Sequence, residues 1–208
     1  MGTLSIVSIT ASSAAVNLDT VNSGGAPDDW AEWGITANLT PDNRRNGGGS
    51  TISVALSGGG STSNNTGDAR TVSWTNGTPT ASSSNTDCIF NSSFTLSLGL
   101  SFSLPADTNV RTAWFYVGAY NNTCTYVINA SLSDSSASSV SDTTHFLGST
   151  TAFNPYVIIF QYSANSPGQT LTVTLTNPAS GTPQTVTLQG VAVAKTGSGT
   201  PISIAWVT

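Results

Sequence analysis

The chain has 208 residues, 38% of them hydrophobic and only 7% charged, with a net charge of −5 and a pI near 4.3. That apolar content supports a core and excludes a disordered tail, while the scarcity of charge leaves a surface of Ser, Thr, Asn and Gly. Four arginines and one lysine, with Arg44-Arg45 as their only adjacent pair, give nucleic acid no electrostatic footprint.

Residues 4–9 read as a strand, and Val16-Asn-Leu18 as the start of a second. A turn-rich loop over 22–27 leads into Asp28-Asp-Trp-Ala-Glu-Trp-Gly34. Residues 40–50 form a Gly-, Asn- and Arg-rich loop, and Ile52, Val54 and Leu56 alternate as a strand. Residues 57–67 read as a long mobile Gly/Ser/Asn loop, 71–75 as a strand closed by the Asn76-Gly77 turn signal, and 81–88 as a polar loop. From 94 to 104 the even positions are Phe, Leu, Leu, Leu, Phe and Leu, the pattern of a strand with one dry face. Pro105-Ala-Asp-Thr-Asn109 turns the chain. A second alternating strand follows, with Ala113, Phe115, Val117 and Ala119 in one row and Trp114, Tyr116 and Tyr120 in the other. Further strands are expected at 126–132, 157–162, 171–175, 186–193 and 202–207, with an apolar parity switch at Gln189-Gly190 that signals a bulge.

Roughly ten short strands, no helical periodicity and no fixed repeat point to one all-β domain over 1–208. The expected architecture is an antiparallel β-sandwich, jelly-roll or Ig-like, of two packed sheets. No segment approaches the length of a membrane span and no leader is visible before Leu4.

Catalytic chemistry finds little to use. There are ten acids, one glutamate and nine aspartates, and only Asp28, Asp29 and Glu32 cluster. Sequence neighbours would line one rim and not face each other across a cleft, as sugar hydrolysis requires. His145 is the sole histidine, no Gly-x-Ser-x-Gly elbow precedes a helix, and zinc spacing is lacking. No enzyme activity is expected. A structural calcium is the one cofactor left open: Asp134 and Asp142 flank one polar loop, and Asp19, Asp28 and Asp29 another, although such loops arise equally as plain Asx turns.

The row Trp114, Tyr116 and Tyr120 is the candidate binding face. If the small and aliphatic row faces the core, these rings lie outside, where flat aromatics stack on sugar rings and exposed patches mark interactions. The opposing reading is that the other row lies outside, or that a loop or subunit covers the stripe. Trp30 and Trp33, three apart, cannot share one strand face, so one is an anchor in the core or at a sheet corner; Trp30 and Glu32 join the candidate ligand-binding set. Trp74 and Trp206 read as core. Cys88 and Cys124 stand in polar segments flanking the alternating region; a disulfide is expected if those strands are neighbours, which would imply an oxidising compartment, and two free thiols are the alternative.

Several segments carry a resemblance when taken together. They are Asp29-Trp-Ala-Glu-Trp-Gly34, Ser73-Trp-Thr-Asn-Gly-Thr-Pro-Thr80, Pro105-Ala-Asp-Thr108 with Arg111-Thr112 and Tyr116-Val-Gly118, and Ala130-Ser-Leu-Ser-Asp134. Residues 166–173 and 186–189 also fit. The set resembles a Ser/Thr-rich β-sandwich domain of secreted bacterial proteins that carries an Asp-Trp-Ala-x-Trp-Gly motif and is often attached to carbohydrate-active or cell-surface modules. It covers residues 16–193, which makes strands 4–9 and 202–207 terminal additions. Glu32 stands where His is usual, and Trp114 where a smaller or charged residue is. The resemblance implies a secreted, extracellular or cell-surface location.

Two functions remain open. One is a non-catalytic glycan-binding or adhesive module with a polysaccharide or cell-surface glycan as partner. The other is a structural subunit that self-associates into a filament, surface layer or particle through its terminal strands.

Overall fold

The period-two segments become the long strands of two facing sheets, and three short segments at 16–17, 72–74 and 83–85 add a third layer. The computed structural model describes residues 1–20, 27–120, 124–148, 153–181 and 185–196. Among the described residues there are seventeen strands and no helix. In chain order they are β1 (Thr3–Ala11), β2 (Val16–Asn17), β3 (Asp29–Glu32), β4 (Asn43–Arg45), β5 (Ser53–Ser57) and β6 (Thr62–Asn65). Next come β7 (Val72–Trp74), β8 (Gly77–Thr78), β9 (Ser83–Asn85), β10 (Cys88–Asn91), β11 (Gly99–Ala106) and β12 (Arg111–Tyr120). The last are β13 (Val127–Leu132), β14 (Val140–Asp142), β15 (Phe153–Ser163), β16 (Gln169–Thr176) and β17 (Thr185–Lys195).

A nine-stranded sheet runs β1-β15-β12-β17-β3-β4-β8, with β10 also paired to β17 and β6 to β10. A five-stranded sheet runs β14-β13-β16-β11-β5, and a three-stranded one runs β2-β7-β9. All pairings are antiparallel except β2 with β7. The all-β antiparallel expectation holds, with seventeen strands in place of about ten.

The main core lies between the large and five-stranded sheets. Leu100, Phe102 and Leu104 of β11 and Leu171, Val173 and Leu175 of β16 face Ala113, Phe115, Val117 and Ala119 of β12. Phe115 sits at its centre, edge-on to Phe102 at 5.1 Å and to Phe160 at 5.4 Å. Burying such a ring contributes about 1.5–3 kcal/mol. The parity switch also appears where expected. Tyr116 pairs with Gly190 and Val117 with Leu188, so Gln189 is the extra residue of a bulge.

Four readings of the sequence need correction. Residues 94–98 are not strand: Phe94 and Ser97 have φ of 31° and 61°, and β11 begins only at Gly99. Gly99 marks the boundary because a Cβ there would lie 2.0 Å from the Leu175 carbonyl oxygen. The 57–67 loop contains β6, and the 81–88 loop contains β9 and the start of β10. Asn76-Gly77 closes no hairpin: β7 pairs with β9 in the small sheet, while β8 pairs with β4 in the large one. The chain changes layers there. The expected strand over 202–207 lies outside the described residues.

Candidate functional site

The row assignment on β12 is right, yet the face opposite the main core is covered. Ala113, Phe115, Val117 and Ala119 face inward, and Trp114 and Tyr116 project outward. There they meet Val16, Leu18, Val72 and Trp74, carried by the β2 and β7 region, and Trp30 of β3. Trp114 is 5% exposed, and Tyr116, Trp30 and Glu32 are fully buried. The expected exposed stripe is therefore overturned for Trp114 and Tyr116, and neither Trp30 nor Glu32 offers a surface to a ligand. The strands expected at 16–18 and 71–75 are present as β2 and β7, but strands of two or three residues give no sign of which face they cover.

Hydrogen bonds orient that cover. The Trp30 indole Nε1 donates to Asp19 Oδ1 at 3.0 Å, and Asp19 Oδ2 accepts from the Thr75 amide at 2.6 Å. Arg70 is fully buried beneath the cover and donates to the carbonyls of Tyr156 (3.0 Å) and Val117 (2.8 Å) and to Gln189 Oε1 (3.1 Å). Gln189, pushed out of register by the bulge, returns a bond from Nε2 to the Arg70 carbonyl at 2.7 Å. The guanidinium also lies over the Tyr116 ring, 5.5 Å from its centroid. Burial lowers the Arg70 pKa to about 10, while neighbouring Asp68 favours its charge. Burial likewise raises Asp68.

Glu32 forms a second buried polar point. Its Oε2 accepts from Asn43 Nδ2 at 3.0 Å and its Oε1 from Asn85 Nδ2 at 3.1 Å, which joins β3, β4 and the small sheet's β9. Burial pushes its carboxyl from 4.5 up to about 7, against those two bonds. The three clustered acids do not share a rim. Asp29 shares the inward parity of Ala31, Glu32 faces the cover, and Asp28 accepts from the Lys195 amide near Arg111. Trp30 and Trp33 are both buried and belong to different clusters on the two sides of the large sheet.

Beyond the cover, the outer face keeps partly exposed aromatics. Tyr120 and Phe153 are cross-strand partners with ring centroids 4.8 Å apart, both half-buried. Phe90 stacks on Phe94 at 6.2 Å and 27°, and Phe94 is 43% exposed. Ala119, Ile89, Val186 and Leu188 all face the main core, so Tyr120, Phe90, Thr185 and Thr187 share the opposite face. Tyr120 pairs with Thr185, and Thr187 pairs with both Gly118 and Phe90. Strand spacing and rise then put the Phe90 and Tyr120 Cα atoms about 12 Å apart.

The turn holding Phe94 is strapped on both sides. Asn91 Nδ2 donates to the Gly59 carbonyl at 2.8 Å and its Oδ1 accepts from the Ser93 amide at 3.1 Å. Asn177 Nδ2 donates to the Thr95 carbonyl at 2.8 Å. Sequence reasoning found Tyr120 but missed Phe90, Phe94 and Phe153 as surface groups. The available signal was Asn91-Ser92-Ser93, turn chemistry immediately before Phe94.

Asp134 and Asp142 are not brought together as ligands. Asp134 accepts from the amides of Ser136 (3.1 Å) and Asn165 (2.9 Å). Asp142 accepts from the amides of Thr144 (3.0 Å) and His145 (2.8 Å) and from His145 Nδ1 at 2.6 Å. These are Asx-type caps, and among the described residues no group of three or more His, Cys, Asp or Glu is placed to hold a metal. The disulfide expectation is corrected as well: Cys88 and Cys124 are both free. Cys88 lies on the Phe90 face near Asp68 and Thr187, whereas Cys124 packs against the main core, so the large sheet separates them. No helix among the described residues is long and apolar enough to cross a membrane.

No protein-family profile matches the chain, and no curated protein does. Among solved structures, the chain is similar to the CBM22-1–GH10 modules of the N-terminal endo-1,4-beta-D-xylanase 10B of Clostridium thermocellum, complexed with xylohexaose. Identity is 11% and the TM-score 0.38, over 96% of this chain and 30% of that one. A likeness of that size transfers no site.

Proposed function

We propose that the chain is a non-catalytic glycan-binding or adhesive β-sandwich module of the extracellular space or cell surface. Its binding face is the platform of Tyr120 with Phe153 and Phe90 with Phe94. The observation that carries this reading is the pair of partly exposed aromatic couples on one sheet face, with the Phe90 and Tyr120 Cα atoms about 12 Å apart and Thr185 and Thr187 buried between them. Two aromatic couples spaced on that scale suit two sugars of one oligosaccharide, and the neighbouring Ser92 and Ser93 are uncharged partners for hydroxyls. The bulky Phe94 at positive φ is held, against its backbone preference, where its ring faces solvent.

Affinity electrophoresis against a panel of soluble polysaccharides tests the proposal, with Phe94→Ala and Tyr120→Ala beside the wild type. Retardation by one glycan, reduced at least tenfold in variants that melt within a few degrees of the wild type, is the expected result. Absence of retardation on every glycan, or retardation undiminished in both variants, overturns it. A second reading, a structural subunit that self-associates through terminal strands, draws on the outer edge of β1, which pairs only with β15 among the described residues.

A further inference from the structure

We propose that Asn46 is a site of covalent self-modification: in the folded protein it deamidates through a succinimide to aspartate and isoaspartate, while the fold protects Asn76, which is also followed by glycine. The inference is independent of the glycan and self-association readings.

The chain contains two Asn-Gly pairs, Asn46-Gly47 and Asn76-Gly77. In such a pair the glycine nitrogen can attack the asparagine side-chain carbonyl, because glycine has no Cβ to block the approach. A bond forms between that nitrogen and Asn Cγ. The Cγ–Nδ2 bond breaks, and Nδ2 leaves as ammonia with the proton that the glycine amide gives up. Water then adds to one of the two ring carbonyls. One route restores the main chain with aspartate in place of asparagine. The other leaves isoaspartate, with the main chain running through the former side chain. No oxidant or reductant is needed.

Ring closure requires the Asn–Gly peptide to turn until its nitrogen faces Cγ, so a hydrogen bond at either end of that peptide opposes the reaction. The Asn76–Gly77 peptide is held at both ends. The Asn76 carbonyl accepts from the Asn46 amide at 2.8 Å, and the Gly77 amide donates to the Ala81 carbonyl at 2.8 Å. Gly77 is also buried, and a Cβ on it would lie 2.5 Å from the Thr80 carbonyl oxygen and 2.6 Å from the Trp74 indole.

The Asn46–Gly47 peptide is free at both ends. Among the described residues no protein group bonds to the Asn46 carbonyl, the Gly47 amide or the Asn46 side chain. Both residues are exposed, and a Cβ built on Gly47 would meet nothing within 4 Å. Gly47 sits at φ 73°, where a residue with a side chain would be strained. The flanks are fixed: the Asn46 amide is on Asn76, and the Gly48 amide is on the Arg45 carbonyl at 3.0 Å. One bond, Asn46 amide to Asn76 carbonyl, therefore pins the second pair while leaving the reacting peptide of the first untouched.

Peptide mapping of the full chain, aged in warm, mildly alkaline buffer with and without urea, is the test. Trypsin cleaves after Arg45, Arg70 and Arg111, which places the two pairs on separate peptides. Electron-transfer fragmentation locates the amide-to-acid mass gain and distinguishes isoaspartate from aspartate. In the folded chain Asn46 is expected to convert at least tenfold faster than Asn76, and a more acidic form should grow on anion exchange. In urea the two should convert within threefold of each other. Asn46→Ser, a change confined to an exposed turn, should abolish most of the acidic form. Similar rates in the folded chain, faster conversion at Asn76, or an Asn46 that stays intact while the unfolded chain converts would overturn the proposal. A tenfold ratio that persists in urea overturns it as well, because local sequence and not the fold would then set the preference.

Discussion

The two faces of the large sheet are built on different principles. The inner face meets the five-stranded sheet through side chains that are almost all aliphatic or Phe, in unbroken alternation along β11, β12 and β16. The outer face meets the three-stranded sheet through Trp30, Trp74, Trp114 and Tyr116 together with fully buried Arg70, Glu32 and Gln189. Apolar burial is non-directional, so the inner contact tolerates small slips as long as volume is conserved. A buried guanidinium with three acceptors fits in one position only, and leaving any acceptor unpaired is costly. The inner interface thus supplies bulk stability, and the outer one fixes where a small, weakly apolar cover sits.

Removing one anchor from each face should give the largest effects. Phe115→Ala empties the centre of the main core and is expected to cost about 3–5 kcal/mol. Arg70→Met leaves the Tyr156 and Val117 carbonyls and Gln189 Oε1 without their donor, and Asp68 buried without its cation, for a similar loss of about 3–5 kcal/mol. Urea unfolding measures both. Hydrogen exchange should separate them: Arg70→Met exposes β2, β7 and β9 before the rest, whereas Phe115→Ala loosens both long sheets together. A loss below 1 kcal/mol for Arg70→Met would show that packing alone holds the cover.

Acidity sharpens the contrast at Glu32. Its folded carboxyl titrates near 7, against 4.5 ordinarily, so the folded state holds the proton more tightly. Stability from this group is fully present below pH 4.5, declines as pH rises, and is lost above 7, a swing of about 3 kcal/mol. Asp29, Asp68 and Asp87 are raised by burial and act in the same sense; Asp107, Asp134 and Asp142 are lowered and act oppositely in more acid solution. Unfolding at pH 5 and pH 8 should therefore be compared with Glu32→Gln, which removes the Glu32 part of the slope. Gln is no neutral mimic here. Asn43 Oδ1 is tied to the Thr80 amide and Asn85 Oδ1 to the Asp87 amide, so the new Nε2 faces a fixed donor. That mismatch is expected to cost about 1–3 kcal/mol at pH 5. An unchanged slope in the variant would place the titration elsewhere.

Trp30→Phe is a milder probe of the same interface. It keeps most of the ring contact with Trp74, centred 5.9 Å away, and removes the bond to Asp19. Asp19 retains the Thr75 amide and hydroxyl, so the expected loss is about 1–2 kcal/mol by denaturant melt.

The same division explains what could be read without the structure. The main core was legible because Leu100, Phe102, Leu104, Phe115 and Val117 repeat at the period that a half-buried strand demands, and the bulge because that period breaks at Gln189-Gly190. The cover was legible only in part: 16–18 and 71–75 read as strands and Trp74 as core, but their place over β12 did not show. Ser83-Ser84-Asn85 has no apolar residue and is a strand only because β7 pairs with it. Arg70 looks like an ordinary surface cation until Gln189, 119 residues away, closes over it. The row Trp114 and Tyr116 was placed on the correct face, but nothing local to β12 announces what lies over it. At Phe94 the error ran the other way: period two persisted through a segment that folds as turns.

The smallest effect concerns that turn and bears on whether the open end of the outer face is built for contact. Phe94→Ala and Phe94→Gly both delete the ring and its stacking on Phe90. They differ in backbone freedom, since alanine at positive φ carries about 1–2 kcal/mol that glycine avoids. Glycine's greater freedom in the unfolded chain offsets about half of this. The glycine variant is therefore expected to be the more stable of the two by about 0.5–1 kcal/mol, and within about 1 kcal/mol of the wild type, while both lose glycan retention equally. Equal stabilities would mean that the turn relaxes once the ring is gone, leaving Phe94 a passenger. A gap of the expected size, with binding lost in both, would mean that the fold holds an aromatic ring in solvent against its own backbone preference, the opposite of what the covered half of the same face does with Trp114.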